Sequence, residues 1–119
     1  MAATALVIGG SGPTGPFIVE GLRDRGYRVS VLNRGVHPYP FPDDVERIVG
    51  DPHFVEPMEA ALGDRTFDVV IATYGRLRAT SQVMRGRTGH FIAVGGCVGY
   101  RGFSAPAENF PRGLMLPVR

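Results

Sequence analysis

Five short apolar runs punctuate this chain, and each is followed by residues of a different rhythm. Thr4–Ile8 (TALVI) is aliphatic and β-branched with no polar alternation, the pattern of a strand buried on both faces. Arg28–Leu32, Val45–Val49, Phe67–Thr73 (FDVVIAT) and His90–Val94 read the same way, with FDVVIAT the clearest. Between the first two runs, Phe17, Ile18 and Leu22 recur at helical spacing, and Gly26 stands where a helix would be capped. Pro13 and Pro16 are compatible with that helix only near its start. Glu56–Leu62, with Pro57 in its first turn, and Leu77–Arg85, closed by Gly86, are two further helices. Strands and helices alternating at this spacing predict a doubly wound α/β fold: about five parallel strands with helices on both faces.

After Gly95 the rhythm stops. Residues 96–119 mix Gly, Pro and isolated apolar side chains without period, and so long a structureless stretch is unusual inside a compact domain. The chain is expected to comprise a domain at 1–102 and an irregular Pro-rich tail at 103–119 that leads to a further part of the fold. Five parallel strands also leave the outer edge of the fifth unpaired. That edge is expected to be covered by the tail or by another subunit, since bare edges invite association.

Composition narrows the functional classes. The chain has 119 residues, 44% hydrophobic and 20% charged, enough for a core without disulfide or metal staples. No apolar run is long enough to span a bilayer and the N-terminus lacks a signal segment, so no membrane partner and a cytoplasmic location are expected. The lone Cys97 fits a reducing compartment and reads as a small core residue. All thirteen basic residues are arginine and the net charge is only +2. They are scattered, which argues against a nucleic-acid surface. His37, His53 and His90 are too widely spaced for a metal-ligand pattern.

The chemistry is concentrated in IGGSGPTG. Gly10, Gly12 and Gly15 satisfy G-x-G-x-x-G, and Gly9, Gly12 and Gly15 satisfy G-x-x-G-x-x-G. Between a strand and a helix this spacing makes a tight turn, lets phosphates come near the backbone and lets the helix lie close on the strand. The helix N-terminus adds free N–H groups and partial positive charge. At the end of the second strand, where an acidic residue would favour NAD, the chain has Asn33, Arg34 and Gly35. A guanidinium there can pair with a 2′-phosphate, which predicts NADP over NAD.

These residues, with VLNRG, IVGD, FDVVIATYG and GHFIAVGGCVGY following in order, resemble the extended short-chain dehydrogenases/reductases, or NAD-dependent epimerase/dehydratase family, over Ala5 to about Gly102. The likeness is closest to the branch with the chloroplast stem-loop-binding proteins and bacterial sugar-nucleotide epimerase-like proteins. It implies the N-terminal Rossmann part of such a protein. Carried over by position, it places Ser11, Gly12, Pro13 and Thr14 at the pyrophosphate, Arg34 at the adenosine phosphate and Asp51 at the adenine amino group. Thr73 and Tyr74 fall beside the ribose and nicotinamide. The alternative for Asp51 is a turn residue before Pro52. The implied partners are a nicotinamide dinucleotide, a small-molecule substrate for which a nucleotide-sugar is one candidate, and a second copy of the chain.

Two departures stand out. Pro13 lacks a backbone N–H that the family offers to the pyrophosphate, so Thr14 must contribute more. The family's reaction also uses a Tyr-x-x-x-Lys pair and a serine after strand five, whereas this chain has no lysine and has Gly95 and Gly96 at the serine positions. Tyr100 resembles a structural tyrosine of the family, with Ser104 four residues on. No catalytic residue is therefore assigned. The expected function is the NAD(P)-binding portion of a reductase or epimerase. The alternatives are a non-catalytic NADP-binding sensor and, last, an RNA-binding relative.

Overall fold

The computed structural model describes residues 2–37 and 39–95. They form one parallel sheet of five strands in the order β3-β2-β1-β4-β5. The elements run β1 (Thr4–Ile8), α1 (Gly15–Asp24), β2 (Arg28–Asn33), β3 (Glu46–Val49), α2 (Val55–Leu62), β4 (Val69–Ala72), α3 (Leu77–Met84) and β5 (Phe91–Ala93). This is the expected doubly wound architecture, with each element found within two residues of the span read from the pattern. The expectations for Gly96, Cys97, Tyr100 and the tail at 103–119 lie outside the described residues. Among the described residues no helix is long and apolar enough to cross a membrane.

The central strand explains why its sequence does not alternate. Ala5, Leu6, Val7 and Ile8 are all completely buried, because β1 has a neighbour on each side and a packed layer on each face. Leu6 and Ile8 point into one layer with Leu32, Val70, Met58 of α2 and Val83 of α3. Ala5 and Val7 point into the other with Val29, Val31, Val19 and Leu22. Full burial of each such aliphatic side chain contributes about 1.5–3 kcal/mol.

Helix α1 buries Gly15, Val19 and Leu22, spaced four and three residues apart along one face. Pro16 lies in its first turn, where a missing N–H costs nothing. At the other end the N–H of Gly26 donates to the Arg23 carbonyl at 2.9 Å and that of Tyr27 to the Leu22 carbonyl at 3.1 Å, a paired closure that satisfies the last carbonyls.

Between β2 and β3 the described residues contain no helix. Phe41 and Val45 from this irregular segment are buried in the same layer as Val19 and Leu22 of α1. Two side chains thus take over the covering role of a crossover helix. Tyr39 stacks on Phe41 at 4.8 Å, and the Arg47 guanidinium lies 5.4 Å from the Phe41 ring, holding the segment down. Among the described residues β5 pairs only with β4, and Ile92 and Val94 are exposed.

Candidate dinucleotide cleft

Strand order reverses between β1 and β4: the chain winds from β1 out to β3, then returns to place β4 on the other side. Diverging loops open a crevice at such a point, beyond the C-terminal ends of the strands. Here that crevice is a cleft of about 400 Å³, within the range of small-molecule sites. Three segments line it: the turn Gly9–Gly15 after β1, Asn33–His37 after β2, and Thr73 and Tyr74 after β4. The structure thus brings together every residue singled out for the dinucleotide but one, and adds Val36 and His37. Asp51 is the exception.

Each glycine of the turn has a distinct cause. Gly9 and Gly10 have φ of +103° and +81°, which reverses the chain out of β1 in a conformation side chains rarely tolerate. A Cβ on Gly15 would lie 2.1 Å from the Gly10 carbonyl oxygen, so α1 can rest against the turn only with a glycine there. A Cβ on Gly12 would meet nothing within 4 Å. No packing demand of the described residues accounts for the missing side chain of Gly12.

Hydrogen bonds fix the turn from both flanks. Thr73 Oγ1 donates to the Ile8 carbonyl at 2.9 Å and accepts from the Gly10 N–H at 3.4 Å. On the other flank Asn33 Nδ2 donates to the Gly9 carbonyl at 3.2 Å, while its Oδ1 accepts from the Gly35 N–H at 2.8 Å. The Asn33 amide is thus used to join two loops. Its presence in VLNRG is the sequence signal for that role, since Asn bonds readily to the backbone two residues on.

The turn leaves donors unspent. Among the described residues, no protein acceptor takes the backbone N–H of Ser11, Gly12 or Thr14, and Thr14 caps α1 without a side-chain bond. Pro13 and Pro16 contribute no N–H. The N-terminus of α1 thus presents a small set of donors and the positive end of its dipole to the cleft.

Asp51 lies apart, beyond the end of β3. Its Oδ1 accepts from the His53 backbone N–H at 3.0 Å and contacts His53 Nδ1 at 2.8 Å. The backbone N–H and then the ring of His53 hold its carboxyl below the ordinary range, with a smaller contribution from Arg34. These bonds are those of a turn, and Oδ2 has no partner among the described residues. The His53 ring stands edge-on to Tyr74 at 5.0 Å, so this turn also borders the β4 side of the cleft. The pattern HPYP after VLNRG gave no reason to place His37 in the cleft. Its position depends on how the β2 loop folds back.

No protein-family model matches the sequence, and no curated protein matches it either. Solved structures do. A candidate epimerase from Bacteroides thetaiotaomicron superposes with a TM-score of 0.68 at 16% identity, over 83% of this chain and 50% of that one. A carbonyl reductase from Pseudomonas aeruginosa PAO1 gives 0.66 at 15% identity, over 90% of this chain and 67% of that one. A short chain dehydrogenase family protein from Francisella tularensis gives 0.66 at 16% identity, over 92% and 56%. The chain therefore spans about half to two thirds of the length of these structures. At such identities the likeness concerns architecture, and its conclusion is that residues 2–95 adopt the Rossmann fold shared by these epimerase, reductase and dehydrogenase structures.

Proposed function

We propose that this chain binds a nicotinamide dinucleotide in the cleft between β1, β2 and β4, NADP in preference to NAD, as the cofactor-holding part of a reductase or epimerase. The observation that carries this reading is Gly12, a side-chain-free position facing open space beside three unspent N–H donors. The donors of Ser11, Gly12 and Thr14 suit the diphosphate bridge, and Arg34 suits the adenosine 2′-phosphate. Arg34 has no hydrogen-bond or ion-pair partner among the described residues, so its fork of donors is available. Asp51 Oδ2 is the acceptor left for the adenine amino group. Thr73 and Tyr74 border the place of the ribose and nicotinamide.

The bound dinucleotide would supply hydride transfer, and what these residues do is hold and orient it. Without lysine the chain has no Tyr-x-x-x-Lys pair, and no acid/base group is assigned to it. The exposed Gly95 at a serine position supports the second reading, a module that binds NADP without turning it over. Titrating the folded 119-residue chain with NADPH and NADH by calorimetry tests the proposal. Saturable binding with NADPH the tighter is expected, and no binding of either overturns it. Reading the coding frame past Arg119 for a Tyr-x-x-x-Lys pair separates the two readings, since the first requires one and the second does not.

A further inference from the structure

Resting on the proposed dinucleotide site, we infer that Pro13, Pro16 and Glu20 hold the affinity for the diphosphate down, so that the dinucleotide exchanges freely and serves net reduction or sensing rather than epimerisation. Five positions from Gly12 to Pro16 could each aim a backbone N–H at an anion before the first turn of α1. Only Gly12 and Thr14 do. Pro13 and Pro16 carry no N–H, and Gly15 spends its own on the Gly12 carbonyl at 3.2 Å. Pro16 is the second residue of α1, where an N–H is otherwise free and directed out of the helix along its axis. No permanent cation makes up the difference, because the guanidinium that lines the cleft is Arg34 of the loop after β2, which the proposed reading gives to the 2′-phosphate.

The far side of the turn adds a negative charge. Ser11, Gly12 and Pro13 also wall a second groove of about 580 Å³, whose opposite side is α1 with Pro16, Phe17 and Glu20. Glu20 is exposed and has no ion-pair partner among the described residues, and Arg23, one turn further along α1, is taken by Asp44. An approaching diphosphate is thus met by few donors and opposed by a carboxylate across one groove. Affinity lost in this way is lost chiefly as a faster off-rate. That decides which chemistry the site suits. An epimerase returns the hydride it has removed, ends with its dinucleotide in the starting state and gains nothing by releasing it. A reductase passes the hydride to a carbonyl carbon while a proton goes to the oxygen, and the oxidised dinucleotide must leave before the next turnover. A module that reads the NADP pool needs the same exchange, so both stand apart from an epimerase.

The test uses the full chain as wild type, Pro13→Ala, Pro16→Ala and Glu20→Gln. Each is desalted and analysed for retained dinucleotide, titrated with NADPH and NADH by calorimetry, and followed by stopped-flow fluorescence as NADPH leaves. Wild type should emerge empty, bind NADPH with a Kd of about 1 μM or weaker, and release it within about a few seconds. Either alanine should tighten both dinucleotides by about tenfold, the weight of one hydrogen bond to a charged group, and Glu20→Gln by about twofold. The factors should be equal for the two dinucleotides, since both carry the diphosphate. Stoichiometric dinucleotide retained by desalted wild type, or unchanged affinity in all three variants, overturns the role of these residues and leaves the site itself standing. Failure of wild type and every variant to bind either dinucleotide overturns both.

Discussion

Gly12 and Gly15 lie three residues apart, yet a methyl group added at one should do the opposite of a methyl added at the other. At Gly15 the new Cβ would sit 2.1 Å from the Gly10 carbonyl oxygen and 2.5 Å from its Cα. Ordinary contact begins near 3.4 Å, so backbone must move by more than 1 Å in a turn already held by Thr73 and Asn33. Overpacking of this kind costs about 1–3 kcal/mol, partly offset by up to about 1 kcal/mol from the better helix propensity of alanine. At roughly 4 °C per kcal/mol for a domain of this size, Gly15→Ala should lower Tm by several degrees. At Gly12 a Cβ meets nothing and φ is not positive, so Gly12→Ala should leave Tm unchanged or raise it slightly through the unfolded chain. Its methyl would instead stand where the diphosphate approaches and weaken NADPH binding at least about tenfold, or 1.4 kcal/mol. Thermal unfolding followed by circular dichroism and NADPH titration measure the two effects separately. Normal NADPH affinity in a stable Gly12→Ala chain would refute the reasoning, because the open space would then be unused.

Thr73→Val should cost about 1–3 kcal/mol in urea unfolding, since it removes the hydroxyl that bridges Ile8 and Gly10 and strands the part-buried Gly10 N–H. Arg34→Gln should weaken NADP binding by about tenfold or more while sparing NAD, read from paired titrations. Asp51→Asn keeps an oxygen to accept from the His53 N–H but loses the carboxylate, so both dinucleotides should weaken by a similar factor in those titrations. Glu46 is held below its ordinary range by the Arg65 guanidinium and then by the buried Ser30 hydroxyl. A depressed folded-state value stabilises above the unfolded value of about 4.3 and is lost as pH falls through the folded one, so Glu46→Gln should flatten the acid limb of the stability profile below about pH 4.5.

What could be read from the sequence is what is encoded locally. A central parallel strand has no exposed face, so Thr4–Ile8 announced itself as an unbroken apolar run, and the glycine turn announced itself by missing side chains. The edges of elements were less legible. Phe67 and Asp68 read as strand, yet β4 begins at Val69, and the Phe67 and Asp68 N–H groups donate to the Arg87 and Thr4 carbonyls just ahead of it. Phe41 stands in a stretch that gave no period at all, and Val45 read as the first residue of the third strand, yet β3 begins at Glu46. Both side chains instead cover the sheet by tertiary placement.

The cleft follows the same division. Its floor is a turn whose conformation Gly9 and Gly10 dictate, and residues of the first βα unit predict it. Its walls come from loops after β2 and β4, which are brought beside the turn by sheet order, and sheet order is not written in any window of the chain. Asn33 shows the difference. As a neighbour of Arg34 it read as a ligand contact, but its amide is consumed at both ends by Gly9 and Gly35. Residues that tie the loops together and residues left free to meet a ligand look alike in sequence, and only the tally of which donors remain unspent tells them apart. On that tally the free groups among the described residues are the Ser11, Gly12 and Thr14 amides and the Arg34 guanidinium, the groups that the proposed reading assigns to the diphosphate and the adenosine 2′-phosphate.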